Sequence, residues 1–314
     1  MKKLFTLLAL IVLGVSYAQT CEDGFRLFEH AEGTTCIPET PQRIVTIGDR
    51  DLLTPLIDIG APVIAAPYRE QEDGTLWIRG AIDIYGEAVM EELALASIGV
   101  GGIDFERVAA LEPDLIFSAP WAGDNLDKLQ AIAPVVVIPD WIPMLDHMAM
   151  MADAAGLAGT YETRLEEYRA DLASLVELVG DPSQIVVSRF DIWEDGIWYY
   201  PNWGAIEQVI RDAGYTMPPF QTEATDSVNG LSVERIQEFD GDVILFSYAP
   251  RFGQTIPMLS EQWDTVAPFW RSLPAVETNE YFWYERDIYT GYSFASLNRS
   301  IELMALITAG RGLE

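Results

Sequence analysis

The chain has 314 residues, with 49 Asp and Glu against 19 Lys and Arg and two histidines, a formal net charge of −30. That charge argues against nucleic acid and anionic membrane surfaces as partners. The acids are spread along the whole chain rather than gathered in a tail, and read as a hydrated, screened surface suited to a salty medium.

Residues 1–18 have the composition of a signal peptide. Lys2 and Lys3 form a basic start, Leu4 to Val15 an apolar core, and Ser16 and Ala18 the small residues of a cleavage site. Cleavage is expected after Ala18. A lipid anchor at Cys21 would need a small residue before it, where Thr20 stands. No later stretch approaches the roughly 18 apolar residues of a membrane span. Export to an oxidising compartment makes Cys21 and Cys36 most simply a disulfide, holding an N-terminal segment, 19–41. A loop of about 15 residues would contribute roughly 3 kcal/mol. Two thiols with no nearby second histidine make a poor metal site.

Pro38 and Pro41 set up a strand over Arg43–Ile47. Asp49 is expected to cap a helix carrying Leu52, Leu53, Leu56 and Ile57, which Gly60 ends before a strand from Val63. Phe105, Val108 and Leu111 share a helix face, Pro113 stops that helix, and Leu115–Phe117 is a buried strand. Strand, helix, strand in this order predicts a parallel α/β sheet. Further strands are expected near 135–138, 185–189, 197–200, 243–247 and 281–284. Between the two sets, Tyr161, Leu165, Tyr168, Leu172, Leu175 and Val179 recur at spacings of four and three, with Glu162, Glu166, Glu167, Arg169 and Asp171 opposite. This is an amphipathic helix about 30 Å long, placed at 159–180. The fold expected is α/β: two Rossmann-like lobes with mainly parallel sheets, 42–158 and 181–314, joined by that one helix.

Several segments resemble the periplasmic binding proteins that serve iron-siderophore and cobalamin importers. They are His30-Ala31, Gly33-Thr34, Ile37-Pro38 and Pro41 to Val45, then Phe105-Glu106 with Leu111 to Ile116, and Trp270 with Leu273 to Val276. The resemblance implies a helical strut, slight closure around a ligand, a periplasmic location and action as a monomer. It also implies delivery to an ABC permease and ATPase complex. In that family each lobe presents a surface glutamate to the permease, and Glu106 and Glu234 occupy the matching positions. A glutamate in the first turn of a helix is also favoured by the helix dipole, by about 0.3–1 kcal/mol.

In open α/β sheets, ligands bind beyond the carboxyl ends of the strands. In the first lobe this rule selects Tyr68, Arg69, Trp121 and Trp141. In the second it selects Arg189, Trp193, Tyr199, Tyr200 and Trp203, then Tyr248, Arg251, Trp283 and Tyr289. Aromatic rings offer stacking at low entropy cost, and arginines offer forked donors for carboxylate, catecholate or hydroxamate oxygens. A ferric siderophore meets both demands, with no intrinsic cofactor. Each aromatic competes with a plain packing role, and each arginine with a surface salt bridge. Cobalamin and haem are the rivals within the family, haem because Tyr199, Tyr200 or Tyr289 could serve as an axial ligand. Two histidines argue against a bare transition-metal site. A secreted α/β enzyme is the rival from another class, but no nucleophile elbow, free cysteine or phosphate-cradling loop is present. Residues 66–98 match no motif and are expected to shape the pocket.

Overall fold

The computed structural model describes residues 20–140 and 142–313, so the expected signal peptide and Trp141 lie outside the described residues. The chain opens with a hairpin of β1 (Phe25–His30) and β2 (Gly33–Pro38), paired antiparallel. A disulfide between Cys21 and Cys36 ties the preceding segment to β2. Phe28 and Ile37 point inward, and the Ala31 N–H donates to the Val137 carbonyl at 3.0 Å, which fastens the hairpin to the first lobe.

The first lobe contains β3 (Ile44–Thr46), β4 (Val63–Glu70), β5 (Leu76–Trp77), β6 (Ala96–Val100), β7 (Leu115–Ser118) and β8 (Val135–Val137). Strands β6, β4, β3, β7 and β8 run side by side and parallel, and β5 folds back antiparallel on the end of β4. Every residue of β3, β7 and β8 is buried. That is why these strands read as unbroken apolar runs rather than alternating ones. One expectation fails here. Asp49 does not cap a helix: the helix starts at Thr54, with Leu53 before it and no side-chain cap. The Asp49 carboxylate instead accepts from the Arg69 Nε at 2.7 Å and from the Arg50 backbone N–H at 2.8 Å. A guanidinium on β4, which adds a full positive charge to the hydrogen bond, holds this carboxylate in place of a helix cap.

The second lobe holds two sheets. Strands β9 (Val187–Arg189), β13 (Val243–Tyr248) and β14 (Tyr281–Glu285) form a parallel sheet in the order β14-β13-β9. Strands β10 (Asp191–Trp193), β11 (Gly196–Tyr199) and β12 (Val228–Leu231) form a separate antiparallel sheet. The strand expected near 197–200 therefore exists, but as part of a hairpin. Its turn is Glu194-Asp195, a short acidic turn leading into a glycine, the usual signal for tight reversal.

One helix joins the lobes, and a second packs along it. The helix Ala158–Val179 buries Tyr161, Leu165, Tyr168, Leu175 and Val179, the stripe expected from sequence. Its Tyr161 hydroxyl donates to the Leu145 carbonyl of the first lobe at 2.9 Å, and its Tyr168 hydroxyl to Asp212 of the second at 2.8 Å. The C-terminal helix Phe294–Thr308 packs along it, with the Tyr161 and Phe294 rings 5.6 Å apart. Its N-terminus is capped from both lobes. Ser293 accepts from the Ser296 N–H at 3.0 Å, and Asp58 of the first lobe accepts from the Ala295 N–H at 3.1 Å.

His147 lies in the core helix Met144–Ala154, where its Nε2 is 2.9 Å from the Asp51 carbonyl. Burial pushes this imidazole below its ordinary value, against the opposing pull of Asp51. A base depressed in the fold costs stability as pH falls below its unfolded value of about 6.5, since only the unfolded chain then takes the proton freely. Denaturant unfolding between pH 7.5 and 5 should therefore show the native protein losing stability relative to His147→Gln. The difference in slope should approach, and not exceed, about 1.4 kcal/mol per pH unit. Parallel profiles would contradict a neutral buried His147.

Candidate ligand-binding cleft

The carboxyl ends of the parallel strands in both lobes open on one cleft, with a cavity on each wall. The first, of about 400 Å³, is lined by Ile47 to Asp51, Pro67 to Arg69, Arg79, Gly101 to Ile103 and Trp121. The second, of about 600 Å³, is lined by Arg79, Asp191, Trp193, Trp198, Tyr200, Trp203, Ser227, Asn229 and Arg286. Arg79 belongs to both. The Gly101-Gly102 stretch reaches the first cavity through a tight turn. Gly99 has φ +137°, and a Cβ there would collide with the Gly102 carbonyl.

The second wall is a row of aromatic rings. Trp198 and Tyr200 share one face of the hairpin by the two-residue period of a strand. Ring centroids are 6.0 Å apart for Trp193–Trp198 and for Trp198–Tyr200, and 5.0 Å for Tyr200–Trp203. Arg50 lies 5.4 Å over the Trp203 ring and Arg286 5.9 Å over the Trp193 ring, so guanidiniums flank both ends.

The lobes already touch across the cleft. Arg79 Nε donates to Asp287 at 2.9 Å, and Arg50 lies 3.9 Å from the same carboxylate and donates to Thr290 Oγ1 at 3.1 Å. Arg251 of the second lobe pairs with Asp83 of the first. The Phe252 ring stands edge-on to Trp77 at 5.5 Å, and Arg69, Arg79 and Arg286 surround it at 5.3–5.9 Å. Burial, then the neighbouring Arg79, pushes Arg50 below its ordinary value, while burial pushes Asp83 and Asp191 up. The buried Nε atoms of Arg50 and Arg286 have no hydrogen-bond partner among the described residues. A buried unpaired N–H costs about 1–3 kcal/mol, so these donors are disposed toward an acceptor oxygen.

Six of the residues expected at the site line these cavities: Tyr68, Arg69 and Trp121 on one wall, Trp193, Tyr200 and Trp203 on the other. Arg189 and Tyr199 do not. Both are buried in the core of the second lobe, where Arg189 Nε meets Glu207 at 3.0 Å and the Tyr199 hydroxyl donates to Glu207 at 2.8 Å. Tyr199 alternates with Trp198 and Tyr200, so it must face the other way. A Tyr199 hydroxyl engaged with Glu207 is also no axial ligand for haem. Trp283 stacks on Trp263 with centroids 4.9 Å apart, and Tyr248 and Tyr289 are half-buried; none of the three lines either cavity. Arg251 reaches the cleft only as the partner of Asp83. The residues missed are Arg50, Arg79, Asp191, Trp198 and Arg286. Arg50, Asp191 and Arg286 lie just past parallel strands and Trp198 lies within β11, but Arg79 sits in 66–98, away from any strand end the sequence marks.

Among the described residues, no helix is long and apolar enough to cross a membrane, and no group of His, Cys, Asp and Glu could hold a metal ion. Residues 92–285 match the family described as periplasmic binding protein. The chain belongs to this family of solute-binding proteins. It is 24% identical to the iron(3+)-hydroxamate-binding protein YxeB of Bacillus subtilis (strain 168), over 97% of this chain and 96% of the relative. Its fold is shared with Staphylococcus aureus SirA complexed with staphyloferrin B, at a TM-score of 0.70 and 20% identity, over 89% of this chain and 96% of the other. It is also shared with a periplasmic binding protein component of a Fep/Fec-like ferrichrome ABC transporter from Bacillus subtilis. There the TM-score is 0.67 and the identity 17%, over 90% of this chain and 99% of the other.

Scaffold and cleft arginines should separate by experiment. Arg189→Met leaves Glu207 facing only Arg211 and is expected to cost about 3–5 kcal/mol in denaturant unfolding, as breaking a buried ion pair does. Arg286→Met should unfold close to the unmodified protein and weaken ligand binding instead. Equal loss of stability in both would place Arg286 in the scaffold.

Proposed function

We propose that this protein is the solute-binding component of an ABC importer, and that it captures a ferric siderophore between its lobes and carries it to the membrane permease in the periplasm. The observation that carries this reading is the cleft itself. A row of four aromatic rings on one lobe faces arginines presented by the other, across a space large enough for a chelate of several hundred Å³. Rings give contact area at low entropy cost, and guanidiniums give directed donors to metal-bound oxygens. The names of the relatives, an iron(3+)-hydroxamate-binding protein and a component of a ferrichrome ABC transporter, support the same reading. The chemistry needed is binding and release, with no covalent step.

For docking, Glu106 and Glu234 are proposed as the contacts with the permease. Both are exposed, one on each lobe. Glu106 is in the first turn of the helix Phe105–Ala110, whose cap Asp104 accepts from the Arg107 N–H at 3.1 Å. Glu234 begins the 3-10 helix Val233–Phe239, after Ser232. Neither carboxylate has an ion-pair partner among the described residues, and each is free to meet a basic group on a second protein.

Two measurements test the reading. The chain has nine tryptophans, three of them on the second cavity, and ferric chelates quench their emission. Titration with ferric siderophores, haem and cobalamin should give saturable quenching at submicromolar concentration by a siderophore. Saturation by haem or cobalamin alone would replace the ligand, and silence toward all would remove the transport reading. Separately, Glu106→Lys with Glu234→Lys should abolish uptake while leaving ligand affinity unchanged; a fall in affinity would remove these residues from docking.

A further inference from the structure

The charge of the cleft bears on which chelate it takes, given the proposed capture of a ferric siderophore. Four guanidiniums line the two cavities, those of Arg50, Arg69, Arg79 and Arg286. Three carboxylates line them as well, those of Asp49, Asp51 and Asp191. A fourth, Asp287, is 3% exposed, hydrogen-bonds Arg79 and lies 3.9 Å from Arg50. The remaining arginine of the cleft, Arg251, is matched by Asp83. Four carboxylates therefore answer four guanidiniums in number, with Arg69 paired to Asp49 and Arg79 to Asp287, and the formal charge of the walls cancels. Outside the walls, the chain as a whole carries −30. Nothing here offsets a strongly anionic ligand, either in the cleft or on the way to it.

The classes of ferric siderophore differ in this respect. Three hydroxamate monoanions cancel the charge of Fe(III) and leave a neutral chelate. Three catecholate dianions leave it at 3−, and citrate chelates are anionic too. A hydroxamate oxygen can still accept from a guanidinium, and the buried Nε of Arg286 lacks such an acceptor among the described residues. That demand is for a lone pair, not for net charge. The apolar arms between hydroxamate groups would lie along the row from Trp193 to Trp203.

We infer that the cleft selects a ferric chelate without net charge, of the trihydroxamate class, over tris-catecholate and citrate chelates. The carboxylates of the walls are the selecting groups: Asp49 and Asp287 hold Arg69 and Arg79 in place, and together the four cancel the field that an anionic chelate would need.

The test is tryptophan quenching of the protein by one ferric trihydroxamate, one ferric tris-catecholate and ferric citrate, in low salt. The trihydroxamate should bind at least about tenfold more tightly than either anion, a difference of about 1.4 kcal/mol. Asp49→Asn, or Asp51→Asn if the first variant fails to fold, should shift the ratio of tris-catecholate to trihydroxamate affinity about tenfold toward the catecholate. Equal or tighter binding of either anionic chelate by the unmodified protein would overturn the selectivity and leave chelate capture standing. No binding of any of the three would overturn chelate capture, and the selectivity with it. Equal gains for neutral and anionic chelates in the Asp→Asn variant would remove the wall carboxylates as its cause.

Discussion

Two tyrosines on one face of one helix fix the relation between the lobes. Tyr161 and Tyr168 are seven residues apart, two turns of the helix Ala158–Val179, yet one hydroxyl is bonded to the first lobe and the other to the second. The helix is thus a spacer of set length rather than a flexible link. The second tie reinforces it, because the C-terminal helix of one lobe has its first turn completed by Asp58 of the other. That carboxylate is itself held by the Tyr85 hydroxyl at 2.7 Å. A wide swing of the lobes would have to give up a helix cap and reorient a buried carboxylate, both costly. These ties set the relation of the two cleft walls.

Within the cleft, charge does two jobs at once. Arg79 and Arg251 hold the lobes together through Asp287 and Asp83, and Arg79 also lines the ligand space. Deeper in the second lobe, Arg189, Glu207, Arg211 and Tyr199 form a closed set that faces no ligand. The contrast is instructive. A buried ion pair whose members are fully engaged supports the wall, whereas a buried arginine with an unused N–H, such as Arg286, is held ready beside a cavity. Burial alone does not separate the two; the hydrogen-bond inventory does.

Much of the fold was legible in the residues. The apolar runs of β3, β7 and β8 and the stripe of the long helix are strong periodic signals, and each becomes the element it predicts. The second lobe was less legible. A strand at 197–200 looks the same in sequence whether it joins a parallel sheet or a hairpin, and only pairing decides. Of the cleft residues, Tyr68, Arg69 and Trp193 lie in segments expected just past strand ends, although β4 and β10 extend to include them. Tyr199 was selected by the strand-end rule, which names a segment and does not say which of its alternating side chains faces the cleft. Arg79 could not be found at all. It sits in the short turn between β5 and the helix Ala81–Tyr85, where no period of two or of 3.6 indicates which side chain turns inward. Asp49 illustrates a different failure: its capping role was the local preference, and a guanidinium 20 positions away overrode it.

Arg79 belongs to both cavities, and this has a consequence for how the cleft fills. A single side chain forms the partition, so the two spaces are not independent compartments. Its guanidinium cannot turn toward a guest on one side without changing the wall on the other and loosening its hold on Asp287. Occupancy, selectivity and lobe contact are therefore coupled through one rotamer. A ligand spanning both spaces would meet the Arg79 side chain and its bond to Asp287 together.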